Sequence, residues 1–264
     1  MYKRQLLLGW AISVSGLRCL SLGVLVLPLI GLLQRAPWST LIERLTDEVV
    51  VDALQVSLIV SVTAAALCVV LGVPLAWLLA RSELPGINLL RAVVMVPMVL
   101  PPVVAGTALL FALGRRGLVG QWLDEWFGLT LPFTTAGAVL AATFVALPFF
   151  VITVESALRQ QGGLLEEAAA TSGAGPVATF WHVTLPSVRA ALGAGLALAW
   201  ARALGEFGAT ITFAGSLGGR TRTLPLETFL ALETDRETAL AISVLLLGVS
   251  IAVLAALRGR WLVR

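Results

Sequence analysis

The sequence predicts an all-α integral membrane protein with about six transmembrane helices. Composition is the first ground: of 264 residues, 58% are hydrophobic and only 12% charged, where an ordinary soluble domain carries about 25% charged residues. The mean hydropathy is +0.96. A water-soluble globule of this size could not hide that much apolar side chain, and the same numbers exclude disorder and disulfide-scaffold classes. The second ground is continuity. The apolar runs are unbroken, not alternating, which argues against a transmembrane β-barrel.

Five spans follow from uncharged stretches of 16 to 29 residues, against the roughly 20 needed to cross a hydrocarbon core, and one is broken by charges. The first is 19–34, short but able to extend back past Arg18, whose side chain can snorkel. Lys3 and Arg4 ahead of it give the look of a signal peptide, but no A-x-A site follows, so an uncleaved first span is expected. The next spans are 53–80, 92–114 and 126–154. The fifth, 190–219, carries Arg202 and Glu206, and the sixth is 238–257. The whole chain, 1–264, reads as one transmembrane domain.

Counting positive charges sets the direction. With both termini in the cytoplasm, ten Lys and Arg fall inside and seven outside, a modest bias in the expected sense. Trp38, Trp77, Trp122, Trp126 and Trp261 lie near span ends, as in an interfacial belt. The net charge of +3 comes from dispersed arginines with no basic stripe, so no nucleic-acid partner is expected. With the single His182, no Cys/His metal site can form, and Cys19 and Cys68 sit in apolar runs as buried thiols. Residues 214–221 approach a phosphate loop, but alanine replaces its first glycine and arginine its lysine. No nucleotide site is expected in this chain, and no catalytic constellation for an enzyme.

The longest inside loop, 155–189, holds most of the functional signal. Gln160 to Gly163 loosens the chain. A run of helix formers, 164–171, follows, with Glu166 and Glu167 in its first turn where carboxylates suit the helix dipole. Gly173 and Gly175 end it, Pro176 opens a second short helix over 177–183, and Pro186 leads into the fifth span. Glu167-Ala168-Ala169, three residues, Gly173, nine residues, then Val183-Thr184-Leu185-Pro186 resembles the EAA loop of ABC-importer permeases, with valine at the usual isoleucine position. The resemblance implies a type I ABC-importer permease architecture whose loop docks on a separate ATPase. Small alanines allow close contact there, Glu167 is a polar anchor and Gly173 allows a sharp turn. His182 and Trp181 either touch that ATPase or pack at the membrane interface.

The fifth span gives a second signal. Arg202 and Glu206 stand four apart on one helix face, and either charge alone at the bilayer centre costs about 2.5–3.5 kcal/mol on insertion scales. They either line the path or its gate, or hold helices together. Gly205 and Gly208 permit close helix approach, and the span can break near Gly205. The stretch 201–215 looks like a signature of the sulfate/molybdate branch of ABC permeases, and so does 96–106, where Pro97, Pro101 and Pro102 interrupt a span. Residues 114–117 and 223–227 resemble the molybdate/tungstate members.

The resemblance therefore implies a homodimer in a prokaryotic plasma membrane, two cytoplasmic ATPase subunits using ATP and Mg, and an extracytoplasmic oxyanion-binding protein. The permease binds no cofactor itself. Arg202, Glu206, Gly205, Gly208, Thr210, Pro101 and Pro102 are its path or gate candidates, Thr210 and Thr212 being the weaker, hydroxyl ones. A sulfate or thiosulfate permease is the alternative within the class. An ion-coupled secondary transporter would have no use for the EAA loop.

Overall fold

The computed structural model describes residues 20–261, with side chains described through residue 256. Lys3, Arg4, Arg18, Cys19 and Arg264, and the side chains of Arg258, Arg260 and Trp261, lie outside the described residues. The described chain is helical throughout: α1 Leu20–Arg35, α2 Leu41–Leu45, α3 Glu48–Arg81, α4 Ile87–Val99, α5 Pro102–Leu113, α6 Gly120–Phe127 and α7 Thr135–Gln161. After these come α8 Leu164–Thr171, α9 Pro176–Thr179, a π-helical turn Phe180–Thr184 and α10 Leu185–Ser187. The chain continues with α11 Arg189–Leu204, α12 Gly208–Phe213, α13 Leu224–Thr234 and α14 Arg236–Trp261.

Six apolar elements occupy the six expected places, but among the described residues only α3, α7 and α14 are single helices long and apolar enough to cross a membrane. The third expected span is two helices, α4 and α5, meeting at 116°. Pro101 and Pro102 sit at the corner, where missing N–H groups and fixed φ end one ladder and start another. The fourth span begins at Thr135, nine residues later than expected. Trp126 lies instead on the separate amphipathic helix α6, which Gly128 ends in a left-handed conformation (φ 63°). Thr134 then caps α7, its hydroxyl accepting from the Gly137 N–H at 3.0 Å.

At its other end α7 runs on to Gln161, past the expected stop at Val154. Glu155 does not end it because Arg91 Nε of α4 donates to the Glu155 carboxylate at 2.7 Å. The neutralised side chain is only 6% exposed. The loop between α7 and α11 is correspondingly shorter than expected.

The core is the seam where α3, α7 and α11 pack together. It is built largely from small residues, among them Ala64, Ala76, Ala138, Ala142, Ala146, Ala199 and Ala203. Such residues let helix backbones approach closely, which is how membrane helices gain dispersion contact without a hydrophobic driving force. Valines and the buried Leu79 and Leu158 fill the space between them, and Phe150 of α7, the largest side chain of the seam, is fully buried. Its ring lies against Gly72 of α3 and Gly195 of α11, and a Cβ at either glycine would press on it. Cys68 is buried as expected, with its Sγ 3.9 Å from the Thr143 carbonyl oxygen.

The two ends of the bundle differ. At one end, Arg81 in the last turn of α3 reaches both α8 and the last turns of α7, and Arg91 of α4 reaches Glu155 of α7. At the other, Ser57 of α3 accepts from the Leu224 N–H at 2.6 Å. There Arg44 of α2 holds Asp235 at 2.6 Å and also pairs with Glu237 at the start of α14.

Candidate functional site

The EAA loop folds as its sequence directs. α8 closes on Gly173, which adopts φ 86°, a conformation natural only to glycine. The Ala174 N–H donates to Ala169 and the Gly173 N–H to Ala170, both at 3.0 Å. This is the Schellman pattern that satisfies the last carbonyls of a helix. Downstream, the second helix is α9 followed by a π-helical turn. Pro186 has no N–H to give the His182 carbonyl, and the Leu185 N–H reaches back five residues to Phe180. π-turns of this kind concentrate at functional sites.

Glu167, Ala168 and Ala170 are exposed on α8, and Ala169 is half-buried. Among the described residues no ion pair engages Glu167, so the expected anchor is presented outward. Val183 and Leu185 are half-buried and Pro186 is exposed. His182 is exposed, its Nδ1 3.0 Å from the Ala178 carbonyl oxygen. Trp181 is 62% exposed and stands edge-on to Phe180.

Sequence reasoning missed what fixes this loop to the bundle. Trp77 and Arg81 stand one turn apart on α3. Trp77 packs edge-on against Phe180 at a centroid distance of 6.0 Å. Arg81 donates from Nε to Glu166 Oε2 at 2.9 Å, from Nη1 to the Leu158 carbonyl at 2.8 Å, and from Nη2 to the Gly162 carbonyl at 2.6 Å. Thr184 then donates to Glu166 Oε1 at 2.9 Å. From sequence, Trp77 reads as belt and Arg81 as a topogenic charge. The only signal was their i, i+4 spacing at the end of a span.

The second site is the break between α11 and α12, and here the expectation near Gly205 agrees with the backbone. α11 stops at Leu204 and α12 starts at Gly208. Arg202 Nη1 donates to Glu206 Oε2 at 2.6 Å. Glu206 Oε1 accepts from the Ala209 N–H at 2.7 Å, so one carboxylate both pairs with Arg202 and caps α12. A cation in the last turn of one helix and an anion at the start of the next suit both macrodipoles. The Glu206 side chain is 1% exposed and that of Arg202 27%.

The two broken elements meet. A Cβ on Gly208 would lie 2.6 Å from Cβ of Pro102, and one on Gly106 would lie 2.7 Å from the Ala209 carbonyl oxygen. So α5 and α12 touch backbone to backbone, bringing Pro102, Gly208 and Glu206 to one crossing. Gly205 does not share in it: a Cβ there would meet only the Ala201 carbonyl, at 3.6 Å. Thr210 is buried beside the crossing, its hydroxyl without a hydrogen-bond partner among the described residues. Thr212 donates to the Gly208 carbonyl at 2.8 Å. No group of His, Cys, Asp and Glu able to hold a metal ion occurs among the described residues.

The chain is 45% identical over 234 residues to the molybdenum transport system permease protein ModB of Mycobacterium bovis, covering 89% of this chain and 88% of that one. It is 41% identical over 213 residues to ModB of Escherichia coli K12, covering 81% and 93%. Identity is 36% over 255 residues to the sulfate transport system permease protein CysT of the same organism, covering 95% and 92%. Among solved structures, a bacterial ABC transporter for import of the acidic polysaccharide alginate superposes with a TM-score of 0.76 at 16% identity, over 97% of this chain and 96% of that one. The fold is thus that of an ABC-importer permease. Residues 72–264 match the family model of binding-protein-dependent transport system inner membrane components. The chain belongs to that family and is an inner-membrane protein.

Proposed function

We infer that the chain is the membrane-spanning permease subunit of an ATP-driven molybdate importer, with tungstate as a related substrate. The observation that carries the reading is the EAA loop: a capped helix, α8, presents Glu167 outward at the end of the bundle where α3 and α7 stop. Such a surface suits a separate ATPase, which uses ATP and Mg while this chain binds neither. Two copies would enclose the path. An oxyanion-binding protein would dock at the opposite end, where α2, α13 and the start of α14 lie. A solved neighbour with a TM-score of 0.73 was captured in complex with its periplasmic protein. α14 starts beside α2, at the end away from the loop, and is long and apolar enough to cross the membrane, which supports a cytoplasmic C-terminus.

The α5–α12 crossing is the gate in this reading. Arg202 supplies a positive element, Thr210 a hydroxyl, and Pro101, Pro102 and Gly208 the broken backbone. Molybdate is favoured over sulfate by the higher identity to ModB than to CysT. The test is reconstitution with the ATPase and binding protein in vesicles, measuring ATP-dependent uptake of labelled molybdate. Uptake that resists excess sulfate supports the reading. Uptake of sulfate in preference moves the chain to the sulfate class, and uptake driven by an ion gradient without ATP overturns it.

A further inference from the structure

We propose that Glu166, not Glu167, is the positioning residue through which movement of the EAA loop reaches the transmembrane core, with Arg81 and Thr184 as its two partners. The proposal rests on the importer reading and concerns how the loop is joined to the rest of the chain.

Two adjacent glutamates on α8 have opposite fates. Glu167 is exposed. Glu166 turns inward, its side chain 22% exposed, and both of its oxygens are engaged. Oε2 takes the Arg81 Nε–H at 2.9 Å, and Oε1 takes the Thr184 hydroxyl at 2.9 Å and faces Arg81 Nη2 at 3.3 Å. Thr184 is buried and lies 18 residues away, on the π-helical turn. One carboxylate therefore joins α8, the π-turn and α3.

Arg81 extends the joint. Its planar fork also holds the Leu158 carbonyl in the last turns of α7 and the Gly162 carbonyl of the linker. A lysine in its place would keep the charge but could not hold these acceptors in one plane. Trp77, one turn earlier on α3, adds an aromatic contact to Phe180. The loop is thus fastened at separate points to α3, one of the three core helices. A force applied at α8 is passed to α3 and α7 as well as along the chain into α11. Since α8 joins α7 through Gly162, which has φ 65°, and ends at Gly173, covalent continuity alone would transmit it poorly.

The test uses the whole importer in vesicles, with inorganic molybdate as the transported probe. Uptake per ATP hydrolysed is measured for the parent, Glu166→Gln, Arg81→Lys and Thr184→Val, and ATPase retention is measured by co-purification. Glu166→Gln and Arg81→Lys should each lower uptake per ATP by about fivefold or more, and Thr184→Val by about twofold. Glu166→Gln with Thr184→Val should be no worse than Glu166→Gln alone, since both act on one carboxylate. Retention of the ATPase should stay near parental, which separates this role from docking.

Parental uptake per ATP in Glu166→Gln overturns the proposal. If that variant does not reach the membrane, Thr184→Val decides by the same measure, and a parental value overturns it. A parent chain that neither retains an ATPase nor transports overturns the importer reading itself, an outcome distinct from a coupled parent with unaffected variants.

Discussion

Gly106→Ala should force α5 and α12 apart and destabilise the chain. A methyl group at this position would sit 2.7 Å from the Ala209 carbonyl oxygen and 2.9 Å from its Cα, besides overlapping the Thr212 hydroxyl. Carbon atoms prefer about 3.5–4.0 Å, so α5 must retreat by roughly 0.7 Å. The obstacle is backbone at Ala209, which no rotamer change removes. Overpacking of this kind costs about 1–3 kcal/mol. For a chain of this size each kcal/mol lowers the melting temperature by about 2–4 °C, so a loss of about 2–12 °C is expected in detergent, followed by circular dichroism. Adding Thr212→Ala removes the hydroxyl but not the carbonyl, and should recover only part of the loss. Gly248→Ala on α14, where a Cβ meets nothing within 4 Å, is the control and should melt with the parent. Parental melting of Gly106→Ala, or full recovery in the double variant, would refute the claim that backbone contact joins the two broken elements.

Glu206→Ala strips α12 of its cap and Arg202 of its counter-ion, and should destabilise by about 3–5 kcal/mol, read as a melting shift larger than that of Gly106→Ala. Arg202→Ala should lower molybdate uptake while leaving ATPase co-purification unchanged; parental uptake would make the pair purely structural. Glu167→Arg should assemble poorly with the ATPase, and co-purification at parental stoichiometry would count against docking through that residue. Asp235 is held below the ordinary carboxylate range, first by the Thr238 hydroxyl and also by Arg44, against an opposing effect of burial. Its native pKa is depressed, so its contribution to stability is complete above the usual carboxylate pKa and fades as pH falls through the lowered value. Amide protection in the first turn of α14, taken relative to intrinsic exchange at each pH, should therefore fall only at acid pH, and Asp235→Asn should remove most of that dependence.

Much of this was legible because the physics is local. Continuous apolar runs announce helices in lipid. The residue types from 164 to 176 dictate a helix, a glycine stop and a proline restart over a few residues, and α8 spans the residues that pattern marks. The break near Gly205 and the Arg202–Glu206 pair are likewise contacts within one turn. What sequence concealed depends on distant partners. Glu155 reads as a charge that ends a span, and does not, because Arg91 arrives from 64 residues away. Glu166 and Glu167 share the first turn of α8 and the same propensity; the motif marks Glu167, and only the positions of Arg81 and Thr184 show that Glu166 is the one held. The size of the α4–α5 bend was hidden too: three prolines show that a ladder breaks, not the angle at which it resumes.

The small-residue seam has a consequence for motion. Alanine and glycine have no rotamers to lose or rearrange, so a surface made of them has almost the same energy when one helix is displaced slightly along another. The alanine and glycine stretches of the joints among α3, α7 and α11 are in that sense smooth. A smooth joint alone would have no defined resting place. Phe150, seated against Gly72 and Gly195, acts as a detent: shallow axial slips leave its ring in place, and larger ones must drag a fully buried aromatic side chain out of its seat.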